Sequence, residues 1–311
     1  MQKLTSLGDQ LYLFDLMEQH QPGRSSAYLY LGQKKALIET GSSLSHQTIL
    51  DALREADISP NELDYIIVTH IHLDHAGGAG HLARLAPHAS VVAHPRAERH
   101  LMDPTRLMAG AKAVYGDALD ELFGEMVAIP PEQLLIQGEG DQIDLGDRVW
   151  TFYDTPGHAK HHFSIHDERR KAIFSGDALG IRYVPAFTGY DFEFVMPSTS
   201  PSDFDPNAVE KTVHKLRALH PKTVFHTHFG PSPAEEAFSG TERGVERLAH
   251  MARALYYEGV SWEEYMLALT GLYAGMLSGE GHTSLDIEKI GIDLELNAKG
   301  LLHWASQQHA Q

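Results

Sequence analysis

Apolar residues recur along this chain at two spacings, and each spacing predicts its own kind of element. Short runs that alternate or are wholly apolar predict strands at 11–17, 27–32, 34–40, 65–68, 90–93, 134–136, 142–145, 149–153, 163–166, 171–174 and 223–225. Apolar positions three and four apart predict helices at 45–56, 80–85 and 206–219. Pro95 suits the first turn of a further helix ending near Leu101. Gln21-Pro22-Gly23 and Leu145-Gly146-Asp147 read as turns. Residues 103–128 carry helical pieces around Leu107 and at 119–123, interrupted by Gly110 and Gly116. Residues 181–196 read as a long loop rich in aromatics. Beyond Ala234 the strand pattern stops. Helices are expected there at 236–257, 262–272 and 297–307, with 286–293 a helix or a turn. A mixed body at 1–233 is therefore expected to carry a helical extension, 234–311, packed on it.

Charge and composition narrow the partners. The 311 residues can bury a large core in one domain or two. The chain has 25 basic and 42 acidic residues, a net charge of −17, which disfavours a general nucleic-acid binder. No run approaches the roughly 20 apolar residues of a membrane span. The first ten residues lack the apolar core of a signal peptide. Without cysteine there is neither a disulfide frame nor thiolate chemistry. The expectation is a cytoplasmic protein with a small-molecule substrate, without nucleic-acid or membrane partners, and with a second copy of itself as a candidate contact.

One stretch concentrates the chemistry. The apolar run at 65–68 leads directly into Thr69-His70-Ile71-His72-Leu73-Asp74-His75-Ala76-Gly77-Gly78. In extended backbone His70 and His72 share a face, while Asp74 and His75 lie beyond the strand and can aim at a second spot. Imidazole and carboxylate are ligands for Zn, Fe or Mn. The two glycines allow a tight turn before the next helix.

This stretch resembles the signature of the metallo-β-lactamase-fold superfamily, and further matches follow in order across about residues 10–235. The resemblance implies an α/β fold, a four-layer αββα sandwich with a metal site at one edge. His158, after Asp154-Thr155-Pro156-Gly157, is similar to the family's third histidine. Asp177, in Ser175-Gly176-Asp177, is similar to its metal-bridging carboxylate. The last histidine falls in His226-Thr227-His228-Phe229-Gly230; His228 resembles the pattern better, and His226 is the alternative. The implied sites are His70, His72 and His158 for one ion and Asp74, His75 and His228 for another, with Asp177 between them. The implied cofactors are two divalent ions, Zn first, with Fe and Mn also suited. Asp74 would also orient the shared hydroxide or shuttle its proton. Glu39 stands where the family usually has Asp. His161 and His162 are candidates for supporting contacts.

The implied reaction is hydrolysis of an ester, thioester or lactone. Tyr183, Phe187 and Tyr190 are candidates to wall the substrate pocket, residues 103–128 to roof it, and Tyr256, Tyr257, Trp262 or His303 to reach it from the tail. The lack of Cys departs from B1-type β-lactamases. His72 departs from flavodiiron oxygen reductases, which carry a carboxylate there. Gly180 stands where acyl-homoserine lactonases have a tyrosine, though Tyr183 is near in sequence. Glyoxalase II usually shows Gly-His-Glu-Tyr at its last ligand, unlike 226–230. A thioesterase or broad esterase therefore leads. A mononuclear iron persulfide dioxygenase and a non-catalytic regulatory module are the rival classes.

Overall fold

The computed structural model describes residues 4–199, 201–279, 281 and 287–309. Strands β1 (Thr5–Ser6), β2 (Leu11–Asp15), β3 (Ser26–Leu31), β4 (Lys35–Ile38), β5 (Tyr65–Ile67), β6 (Ser90–Ala93) and β7 (Leu134–Ile136) form one sheet in chain order. The chain then enters a second sheet with β8 (Gln142–Asp144), β9 (Val149–Asp154), β10 (Phe163–Asp167) and β11 (Ala172–Gly176). A separate antiparallel pair, β12 (Ile181–Tyr183) and β13 (Phe194–Met196), follows. Strands β14 (Thr223–His226) and β15 (Gly230–Pro233) complete the second sheet, whose order is β15-β14-β11-β10-β9-β8.

The inner strands β3, β4, β5, β6, β11 and β14 are buried on both faces because helices cover the outer side of each sheet there, while the edge strands β1 and β8 keep exposed polar residues. In β3, Tyr28 and Tyr30 enter a core between the sheets, where Phe174, Phe225 and Trp150 meet them from the second sheet. The intervening Ala27 and Leu29 face outward into a second core. That core is closed by α1 (His46–Glu55), α2 (Leu73–Ala76), α3 (Ala79–Leu85), α4 (Glu98–Met102) and α6 (Leu119–Phe123), with α5 (Thr105–Tyr115) packed at its margin. The short α7 (Pro185–Thr188) sits inside the β12–β13 excursion. On the outer face of the second sheet, Ile173 and Val224 pack under α8 (Pro206–Arg217) and α9 (Ala234–Glu258). Helices α10 (Trp262–Gly279) and α11 (Gly291–His309) share that third core through Leu269, Tyr273, Leu294 and Leu301. The layers are therefore helix, sheet, sheet, helix, with further helices after the last strand.

Several elements differ from the sequence expectation. Residues 181–196 are strand, short helix and strand rather than a loop, and Tyr183 and Phe194 stack 4.7 Å apart across the pair. Pro185 and Gly189 interrupt the pattern, so pairing between distant residues decides the structure. Strand β15 carries Pro231 and Pro233 and was not expected; at the sheet edge a missing N–H leaves no ladder bond broken. The helix near Pro95 starts later, at Glu98. Of the 286–293 stretch, Asp286 lies outside the described residues, Ile287–Ile290 is a 3-10 turn and α11 follows at once. No helix of the described residues is long and apolar enough to cross a membrane.

Candidate functional site

The loops after β5, β11 and β14, and the loop between β9 and β10, converge on one spot. They bring together His70, His72 and His158; His70, His75 and Asp177; and Asp74, His75 and His228, with one donor atom from each residue within 4.8 Å of the others in its group. Local backbone explains the delivery. Gly157 has φ 133° and lies against Val209, where a Cβ would sit 2.5 Å from a methyl carbon. Only glycine makes that turn, and His158 follows it directly.

In the first group His72 Nδ1 lies 2.9 Å from both His70 Nε2 and His158 Nε2. Nitrogens each about 2.0–2.1 Å from a common tetrahedral ion lie about 3.3 Å apart, a few tenths of an ångström wider than this spacing. In the second group His228 Nε2 and His75 Nε2 lie 3.3 Å and 3.6 Å from Asp74 Oδ2. Asp177 stands between the groups. Its Oδ1 is 3.4 Å from His75 Nε2 and 3.6 Å from His228 Nε2, and its Oδ2 is 3.6 Å from His158 Nε2.

The outer nitrogens fix which way these rings present their lone pairs. His158 Nδ1 lies 3.2 Å from the Ser198 carbonyl oxygen, and His228 Nδ1 lies 2.9 Å from that of Arg24. A carbonyl only accepts, so each Nδ1 carries the proton and each Nε2 offers its lone pair inward. Glu39 does the same for His75 across 3.2 Å. Its other oxygen accepts from Thr69 N and Thr227 Oγ1, both at 3.4 Å, so the longer carboxylate bridges the site-bearing loops after β5 and β14. His162 is buried beneath the cluster: its Nε2 accepts the Asp177 N–H at 3.1 Å and its Nδ1 donates to Thr155 Oγ1 at 2.8 Å. His161 Nδ1 accepts the Ile71 N–H at 3.4 Å. His226 turns away, with Nε2 2.9 Å from Ser232 Oγ.

The electrostatics are those of a cation site. Burial alone lowers the His75 pKa, but the carboxylates of Asp177, Asp74 and Glu39 outweigh it and lift it to about 10. His228 is raised in the same way, against burial, by Asp177 and Asp74. Burial and neighbouring imidazoles push His70 and His72 well down, so both are neutral ligands. Asp74 is lowered: its burial is overcome by His75, His228 and His72. Two buried atoms facing each other across the site, His75 Nε2 and Asp177 Oδ1, have no hydrogen-bond partner. Divalent ions would satisfy both atoms, and the donor set of five imidazoles and two carboxylates fits a pair of borderline metals.

The cluster opens into a cavity of about 530 Å³, within the range of small-ligand pockets. Helix α5 does roof it, through Leu107, Ala111, Val114 and Tyr115. Helix α11 closes another side through Ile292, Asp293, Leu296 and Asn297. The aromatic residues expected to wall the pocket do not line it. Tyr183 and Phe187 are buried in the core beneath α9, and Tyr190 packs against that core with its ring stacked on Phe192. The Tyr183 hydroxyl bonds Asp293 instead of facing the site. Gly180 has φ 79° and a Cβ there would lie 2.3 Å from the Met196 carbonyl oxygen, so no tyrosine fits that position. From the tail, α11 supplies the lining where Tyr256, Tyr257, Trp262 or His303 was expected. Glu18, Arg24 and Asp293 line the cavity without any sequence signal, because each comes from a segment remote from the histidine motif.

A profile of the metallo-β-lactamase superfamily matches residues 20–228. The metallo-β-lactamase fold-containing protein ST1585 of Sulfurisphaera tokodaii is 27% identical over 216 residues, covering 67% of this chain and 74% of that protein. Its solved structure superposes with a TM-score of 0.63 at 24% identity, over 90% of this chain and 93% of that one. The human acyl-coenzyme A thioesterase MBLAC2 is 27% identical over 245 residues, 75% of this chain and 83% of that protein. An uncharacterised protein of Methanocaldococcus jannaschii is 27% identical over 169 residues, which are 54% of this chain and 37% of that protein.

Proposed function

The chain belongs to the metallo-β-lactamase superfamily, and on that premise we propose that it is a dinuclear metal-dependent hydrolase acting on an acyl thioester or a related ester. The observation that carries this reading is the pairing of two three-residue donor groups across Asp177, at the floor of a largely apolar cavity. His70, His72 and His158 would hold one ion, Asp74, His75 and His228 the other, and Asp177 would touch both. Zn suits this donor set, and Fe and Mn are compatible with it. When bound, the ions supply Lewis acidity and a water acidified to near neutral pH.

The chain's own residues do the rest. Asp74, the carboxylate of the second group, lines the cavity and would orient the attacking hydroxide or shuttle its proton. Leu107, Val114, Ile292 and Leu296 offer an apolar wall to an acyl chain, holding the scissile carbonyl over the cluster and excluding water. The thioester preference draws on the relative named as an acyl-coenzyme A thioesterase. A tyrosine in the lactonase position has no room beside Gly180, which weighs against the lactone branch.

Metal uptake should be proton-linked. The metal-free protein holds a proton on His75 up to about pH 10, and an ion must displace it. Apparent metal affinity is expected to fall as pH falls from 8 to 6, with protons released on binding. Calorimetric titration of the metal-free protein in buffers of different ionisation heat measures that release. An affinity independent of pH would contradict the ligand assignment of His75.

The deciding experiment pairs elemental analysis of the untagged protein with a panel of esters, thioesters and lactones. About two ions per chain with thioester turnover is the expected result. One iron per chain without hydrolysis would replace this reading with the dioxygenase one. No metal and no turnover after reconstitution would replace it with a binding module.

A further inference from the structure

We infer that the last helix, α11, is a positioning clamp for both halves of the proposed dinuclear site, acting through Asp293 and Asn297. These residues are four apart and so share one face of the helix. Each begins a chain of hydrogen bonds that ends on the outer nitrogen of a different candidate ligand.

The first chain runs from Asp293. Its Oδ1 accepts from Arg24 Nη2 at 2.8 Å, and its Oδ2 accepts from the Tyr183 hydroxyl at 3.1 Å. The pair is nearly buried, with side-chain exposures of 12% and 9%, and the guanidinium also stacks 5.2 Å over the Phe187 ring. Arg24 is thereby held at its head. Its carbonyl oxygen accepts the His228 Nδ1 proton, and the next residue's Ser25 Oγ lies 3.0 Å from the same nitrogen. Residue 24 therefore ties the C-terminal helix to His228.

The second chain runs from Asn297. Its Oδ1 accepts from Thr199 N at 2.8 Å, and its Nδ2 donates to the Pro197 carbonyl at 3.3 Å and the Tyr273 hydroxyl at 2.7 Å. Two bonds thus bracket Ser198. The Ser198 carbonyl accepts the His158 Nδ1 proton, and its hydroxyl donates to Asp177 Oδ2 at 3.3 Å. Asn297 is 3% exposed, and every polar atom of its side chain is used. Such spending of buried polar groups on one loop is what fixes a ligand's angle and tautomer.

The Asp293 arm ends on a ligand of one ion alone, whereas the Asn297 arm reaches His158 and the shared Asp177, which makes the inference testable, and it rests on the dinuclear reading above. Groups that orient metal-binding histidines typically contribute about 10–100-fold to metal affinity. Asp293→Asn in the full chain is expected to weaken one ion by that factor while leaving the other at the wild-type affinity. Asn297→Ala is expected to weaken the ion bound by His158 and to perturb Asp177, so it should affect both. Ion counts after dialysis against a graded chelator, with thermal unfolding of the metal-free proteins alongside, give the readout. Arg24→Ala should be non-additive with Asp293→Asn, since both cut the same chain. Tyr183→Phe removes only one bond to Asp293 and guards against a variant that fails to fold. If wild type holds two ions and the Asp293 and Asn297 variants retain both at wild-type affinity, the clamp is overturned. Equal weakening of both ions by Asp293→Asn, in step with a fall in unfolding temperature, also overturns it, because a merely structural helix predicts that. A wild type without two ions would instead overturn the dinuclear reading itself.

Discussion

Asp177→Asn is expected to cut hydrolysis by more than 100-fold, about 2.7 kcal/mol or more of transition-state stabilisation, and to reduce retained metal from two ions towards one or none. The reason is geometric. Among the described residues, Asp177 is the one whose two oxygens face both groups, Oδ1 towards His75 and His228 and Oδ2 towards His158. Asparagine keeps the shape but replaces one oxygen with an N–H donor and removes the charge that draws cations in. Residues that only orient ligands cost about 10–100-fold when lost, so a residue shared by both ions should exceed that range. The fold should survive, because the His162 contact is made by the Asp177 backbone N–H. In the metal-free protein the same change should lower the His75 pKa from its raised value, since Asp177 is the largest of the groups raising it. Metal analysis, turnover and circular dichroism of the variant check the three parts. Full activity would remove Asp177 from the site.

The second large effect separates two neighbouring histidines. His228→Ala is expected to lose one ion and most activity, because Nε2 sits 3.3 Å from Asp74 and 3.6 Å from Asp177. His226→Ala should keep both ions. Its ring is fully buried, its Nε2 is spent on Ser232, and burial drives its pKa down to about 3. Its loss should appear as reduced stability, on the order of 1–3 kcal/mol for a buried polar contact left unmade, and not as lost metal. Ion counts and denaturant midpoints of both variants decide the matter. Retention of both ions by His228→Ala, with loss by His226→Ala, would exchange their roles.

The histidine run from 70 to 75 was legible because it is contiguous. The β5 strand and the helical turn α2 determine where four side chains go, and the residues that make them are neighbours in sequence; Gly77 and Gly78 follow in right-handed helical backbone and do not form the tight turn expected of them. The inner strands were legible too, since helices outside the sandwich favour apolar residues on both faces of β3, β5 and β6, as in Tyr65-Ile66-Ile67 and Val91-Val92-Ala93. His158 and Asp177 were found through the order in which short motifs recur. Between His226 and His228 the motif resemblance favoured His228 while alternation along the strand left both open; in the packed site the His228 ring turns to Asp74 and the His226 ring to Ser232.

Patterning and motif order thus specified the strand-rich body, the helical tail and the candidate donors, because these depend on near neighbours and on a regular period. The cavity walls depended on tertiary structure. Arg24 and Asp293 meet across 269 positions, Asn297 grips the loop at Pro197 and Thr199, and α5 lines the same cavity. Aromatic residues beside Asp177 in sequence went into the core beneath α9, while apolar side chains from remote helices took the pocket. Burial of an aromatic ring is non-directional and favours the nearest large apolar surface. That surface exists only once the last helices have packed, so no local pattern could foretell which residues would be left to line the site.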